Sequence, residues 1–122
     1  MANDFKRFAK PSVGTSTGAS ADAVYTVPAG AGSSALESII IGITLANKTS
    51  TGVTASVFLD NEDGSNDVFI VKDATVPAGS SLEVMSGNKI VVQNDCSNAD
   101  VVRVSCSAGS SLDALITVLE DV

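Results

Sequence analysis

Eight consecutive residues, Asp60-Asn61-Glu62-Asp63-Gly64-Ser65-Asn66-Asp67, form the densest group of oxygen ligands in the chain, and calcium prefers such ligands. The spacing does not make an EF-hand. With Gly64 at loop position six, Leu59 falls at position one and Ile70 at position twelve, where that motif requires carboxylates. The segment reads as a solvated hairpin turn around Asp63-Gly64, a dipeptide suited to the φ > 0 turns that join strands, with cation binding left open. Cys96 and Cys106 are the only thiols. If residues 94–100 are a turn, the two lie roughly 15 Å apart at ~3.3 Å per residue, too far for a disulfide, which needs Cα atoms within ~7 Å. Cys106 then points inward beside Val102 and Val104, and Cys96 is a loop thiol.

Histidine is absent, which removes Ser-His-Asp and Cys-His nucleophile pairs, and two thiols cannot fill the four positions of a structural zinc. Neither a G-x-S-x-G elbow nor a G-x-x-x-x-G-K phosphate loop occurs. The expectation is a non-enzymatic protein with no catalytic residues, no metal and no cofactor. Sugar recognition is poorly supplied as well, since the aromatics are Phe5, Phe8, Tyr25, Phe58 and Phe69, with no tryptophan. A net charge of −7 argues against nucleic acid and against an anionic membrane surface, both of which need clustered Lys and Arg. The longest strongly apolar run, residues 39–46, is much shorter than the roughly 20 residues of a spanning helix. Residues 1–10 precede no apolar stretch of the kind a secretory leader carries, so a cytosolic site of assembly is expected.

These residues must be positioned by strands. The 122 residues, 44% hydrophobic and 17% charged, suffice for one domain with a core. Over residues 38–46 Ile39, Ile41, Ile43 and Leu45 alternate with Ser38, Ile40, Gly42, Thr44 and Ala46, which predicts a strand with the odd positions in the core. Over residues 53–59 Val53, Ala55, Val57 and Leu59 turn inward and Thr54, Ser56 and Phe58 outward. Further strands are predicted at 24–27, 68–72, 81–85, 89–93, 101–106 and 114–120, with turn chemistry between them. The fold class is all-β: a single jelly-roll-like β-sandwich of about eight short antiparallel strands with an extended N-terminal arm. Residues 1–23 read as arm and connector, and 24–122 as the sandwich. One pentapeptide, Thr26-Val27-Pro28-Ala29-Gly30, returns as Thr75-Val76-Pro77-Ala78-Gly79, and its proline and glycine suit positions two and four of a type I turn ending a strand.

Apolar surface is the most informative residue. Phe58 alternates to the outside of its strand, and Leu115 and Leu119 oppose Ile116 and Val118 on the last strand, so one set needs cover from outside the chain. In the arm, Phe5 and Phe8 flank Lys6 and Arg7, and Lys10 follows, offering apolar anchors and charges to a neighbour. The expected partner-binding residues are therefore Phe5, Lys6, Arg7, Phe8, Lys10, Phe58, Leu115 and Leu119, in a homo-oligomer; symmetry, rather than these residues, favours a trimer or another small ring.

The pattern Met1-Ala2-x-x-Phe5-Lys6-Arg7-Phe8, Ser12-Val13-Gly14-Thr15-Ser16, Val24-Tyr25-Thr26-Val27-Pro28-Ala29-Gly30 and Ile40-Ile41-Gly42-Ile43-Thr44-Leu45-Ala46-Asn47 resembles small virion proteins of tailed bacteriophages, common among marine and cyanobacterial phages. The likeness continues through Val71-Lys72-Asp73-Ala74-Thr75-Val76-Pro77-Ala78-Gly79-Ser80-Ser81-Leu82-Glu83 and Ile116-Thr117-Val118-Leu119-Glu120. The resemblance implies a non-enzymatic virion component with a small β fold, assembled in the host cytoplasm. Its expected partners are other virion proteins: the major capsid protein for a decoration or cement protein, or neck, collar and tail proteins for an adaptor or appendage, for which host contact is left open.

Overall fold

The computed structural model describes residues 3–30, 32, 34–60, 67–85, 89–96 and 98–121. Among these described residues nine strands run in order: β1 Asn3–Lys10, β2 Asp22–Thr26, β3 Leu36–Asn47, β4 Val53–Asp60, β5 Asp67–Val76, β6 Ser81–Glu83, β7 Ile90–Asn94, β8 Val101–Cys106 and β9 Leu112–Asp121. They form two antiparallel sheets. Sheet A has the order β1-β9-β3-β6, with β7 also on β3, and sheet B the order β2-β8-β4-β5. The sheets face each other across an apolar layer that includes Tyr25, Leu36, Ile43, Val57, Val104 and Ile116, as a β-sandwich requires. Among the described residues no helix is long and apolar enough to cross a membrane.

β4 follows its expected alternation, with Val53, Ala55 and Val57 buried in the core and Leu59 packed against it. β3 does not. A bulge between Ile40 and Gly42 inserts Ile41 as an extra residue opposite β9, so Ser38 and Ile40 face inward before it and Ile43 and Leu45 after it. Ile39 and Ile41, expected in the core, are half-buried on the outer side. The other edge of β3 is shared: β7 pairs with its first half and β6 with its second.

The expected arm-and-connector, residues 1–23, belongs to the sandwich from Asn3 onward. β1 pairs with β9 along its full length, from Asn3 opposite Asp121 to Lys10 opposite Ala114, which makes the count nine strands rather than eight. Beyond it the chain crosses from sheet A to sheet B and is pinned at each step. The Ser12 amide donates to Asp113 Oδ1 (2.9 Å), the Val13 amide to the Leu112 carbonyl (2.7 Å), and the Gly14 carbonyl accepts from the Cys106 amide (3.1 Å). Val13 is fully buried, an anchor hidden in a stretch whose composition otherwise reads as linker.

Asn47, at the end of β3, is buried with its side chain fully used. Its amide donates to the Thr51 and Val76 carbonyls, and its Oδ1 accepts from the Thr49 amide and hydroxyl, so it holds the turn that carries the chain into sheet B. The two pentapeptides end β2 and β5 alike, each burying its valine, Val27 and Val76. The second makes its turn one residue later than expected. The Ser80 amide donates to the Pro77 carbonyl, and Gly79 takes the third position at φ +65°, which favours glycine.

Candidate functional site

Period two divides β1 between two environments. Phe5 and Arg7 point away from the core and are exposed, whereas Lys6 and Phe8 point inward, so the four-residue anchor read from sequence is split. The Lys6 ammonium lies 2.9 Å from Glu120 Oε1 at the margin of the core. The Phe8 ring packs on Tyr25, centroids 4.8 Å apart. Lys10 is half-buried opposite Ala114. These inward contacts fasten β1 to its own sandwich.

Below β1 the fastening continues in a buried polar network. Glu120 is almost completely buried, and the Tyr25 hydroxyl donates to its Oε2 at 2.6 Å while standing 2.7 Å from Ser38 Oγ. Burial, together with the hydrogen bond to the Glu120 carboxylate, holds the Tyr25 phenol well above its ordinary range of about 10. The same carboxylate raises Lys6 above the ordinary lysine value. At the other end of β9, the Ser12 amide and the Lys48 ammonium hold Asp113 below the usual carboxylate range. Lys48 Nζ is 2.9 Å from Asp113 Oδ1 and donates to Ser12 Oγ at 2.9 Å.

The outer face of sheet A carries a row of apolar side chains in cross-strand register. Phe5 on β1 lies opposite Leu119 on β9, Leu119 opposite Ile39 on β3, and Ile39 opposite Val91 on β7. Phe5 is 75% exposed and Val91 60%, with Leu119 and Ile39 half-buried between them. Leu115, 38% exposed, lies in a parallel row with Ala9, Thr44 and Glu83. The structure thus brings Phe5, Leu115, Leu119 and Arg7 onto one face and adds Ile39 and Val91, which the sequence reading missed. Val91 sits in a predicted strand, but nothing local ranks its exposure; the alternation turns Ile39 inward because the bulge has no signature in the sequence.

Phe58 is the clear departure. It does point outward from β4, yet it is only 2% exposed. Phe69 on β5 packs on it, centroids 5.2 Å apart, and the connector residues Thr15, Thr17 and Gly18 line the same depression. Its cover comes from the chain itself, and it is not part of an exposed partner-binding surface. Cys106 is buried and Cys96 exposed, and no disulfide joins them. Residues 61–66 lie outside the described residues, so the oxygen-rich turn has no structural reading here; among the described residues no group of three or more Cys, Asp or Glu is placed to hold a metal ion. Comparison with protein-family models, with curated protein sequences and with solved structures finds no match.

Proposed function

We propose that the protein is a non-enzymatic structural component of a tailed-bacteriophage particle, a decoration or cement protein assembled in the host cytoplasm and docked on the major capsid shell. The sequence resemblance supports the virion role. The observation that carries the assembly role is the Phe5-Leu119-Ile39-Val91 row, four apolar side chains on one face whose two ends, Phe5 and Val91, no described residue covers. Its occupant is a second copy of the chain. Exposed Arg7 lies on the β1 strand of that face, and exposed Glu83 lies on β6 at the far edge. Opposite charges at opposite edges suit a head-to-tail contact, which closes into a ring, and a trimer is the smallest such ring.

The test is quantitative mass spectrometry of purified particles, with sedimentation of the isolated protein beside it. The expected result is on the order of hundreds of copies per particle, as repeated shell sites demand, and an oligomer that Phe5→Ser with Val91→Ser dissociates. About a dozen copies or fewer would move the protein to the neck or tail and overturn the decoration reading. Absence from the particle would overturn the virion role altogether.

A further inference from the structure

The depression that covers Phe58 is also a cleft of about 370 Å³ on the outer face of sheet B. Its apolar corner is the Phe58–Phe69 pair, tilted by 40°, of which Phe69 remains 45% exposed. Lys72 and Asp73 flank that corner on β5, with the Lys72 ammonium 5.3 Å from the Phe69 centroid. Ser105 on β8 and Thr15 on the connector add hydroxyls. These groups come from four separate stretches of sequence and converge only in the fold.

Asp73 is held in an unusual conformation to stand there. Its φ is +52°, in the left-handed region that aspartate adopts more readily than most residues other than glycine. The position is fixed by an irregularity in the β4–β5 pairing and by the Asp73 amide donating to Ser56 Oγ at 2.9 Å. The backbone thus sets Asp73 in the lining of the cleft, where its Oδ1 accepts from the Ser56 hydroxyl at 3.5 Å.

The ligand class follows from what sits together. Adjacent Lys72 and Asp73 nearly cancel, so a simple anion or cation gains from one and is repelled by the other. A neutral molecule with hydroxyl donors and acceptors uses both: its hydroxyls donate to the carboxylate and accept from the ammonium. The electron-rich face of Phe69 favours the C–H side of a saturated ring. Lys72 now occupies part of that face, but it is an exposed, flexible side chain whose contact there is weak, and a ring can displace it while keeping it as a donor at the rim. The volume is at the lower end of the ~300–1,000 Å³ common for small-molecule sites, enough for one or two sugar rings.

From this geometry we infer that the sheet B cleft binds a neutral sugar unit of a glycan, stacked on Phe69 and hydrogen-bonded by Lys72 and Asp73. The inference does not depend on assembly through sheet A, which lies on the opposite side of the sandwich. The test is an amide-resolved NMR titration of the full chain with glucose, galactose, N-acetylglucosamine and rhamnose as separate probes, and with sodium sulfate and tetramethylammonium chloride as ionic probes. At least one sugar is expected to shift amides at residues 69–73 and 15–18. Phe69→Ala and Asp73→Asn are each expected to weaken that sugar by about tenfold or more, with circular dichroism confirming that the fold is kept. Because Phe69 also covers Phe58, Lys72→Ala, which removes an exposed side chain from the Phe69 ring but leaves the Phe58–Phe69 contact in place, serves as a second variant and is expected to weaken binding in the same direction. Shifts from the ionic probes alone, sugar-induced shifts confined to sheet A, or no shift from any sugar would overturn the assignment.

Discussion

The two outer faces of the sandwich pose the same problem and solve it differently. On sheet B, outward-pointing Phe58 is covered by Phe69 and by a connector arriving from the other sheet. On sheet A, Phe5 and Val91 stand open at the two ends of an apolar row. An apolar residue on the solvent side of a strand therefore does not by itself mark an interface. What marks the sheet B case is a segment distant in sequence, which brings Thr15, Thr17 and Gly18 beside Phe58.

The largest effect expected concerns where the outer face of sheet A begins. Ile43→Asp places an unpaired charge in the core and is expected to abolish folding, whereas Ile41→Asp, at the half-exposed bulge, should leave a folded protein. Circular dichroism of the two variants decides it; equal loss of structure would mean that the bulge is misplaced. Next, Phe58→Ala should lower stability by about 3–5 kcal/mol in chemical denaturation, because it empties a covered site. Phe5→Ala should change the stability of the isolated chain by less than about 0.5 kcal/mol while impairing association, the reverse pattern.

A smaller effect tests the inner side of the strand that carries Phe5. Tyr25→Phe removes the hydroxyl bonded to buried Glu120 and should cost about 1.5–3 kcal/mol, read as a shift in denaturation midpoint, with faster amide exchange along β1. The same network predicts alkaline sensitivity. Tyr25 and Lys6 both have folded pKa values above their unfolded ones, so the fold retains protons that the unfolded chain releases. The stabilisation is complete below the ordinary values of 10.0 and 10.5 and is lost as pH rises beyond them, which a series of thermal midpoints would register. Smallest is the Asp113–Lys48 pair. Asp113 is lowered in the fold, so its contribution is present above the ordinary value of 3.8 and lost as pH falls through the folded one. Both partners are more than a third exposed and screened by solvent, so Lys48→Ala should cost at most about 1 kcal/mol, less in high salt.

The all-β class was legible because residues 53–59 allow only one alternation, apolar at odd positions and mostly polar at even ones. Residues 39–41 are three isoleucines in a row, which satisfy either phase, so the bulge leaves no local trace: the alternation places Ile43 and Leu45 correctly but turns Ile39 and Ile41 inward in place of Ser38 and Ile40. β1 reads as an arm in the sequence because its strand character depends on β9, more than a hundred positions away, rather than on its own composition. The sheet B cleft was hidden for a related reason. Two of the five aromatics meet there, brought together by strand pairing, and the Lys72-Asp73 pair is ordinary in sequence until Asp73 adopts its left-handed backbone.

The pairing of β1 with β9 also governs when the molecule can form. Sheet A joins the first strand of this sequence to the last, and β3 sits beside β9 on one edge and β6 and β7 on the other. During synthesis, then, β1 leaves the ribosome long before its partner exists, and sheet A completes only after β9 has emerged. Ring closure over so many residues makes the search long, and folds dominated by such distant pairings reach the native state in about milliseconds to seconds rather than microseconds. In that interval the unpaired edges of β1 and β3 are open to the edges of other nascent chains, and a crowded cell producing many copies at once would make early encounters between them frequent.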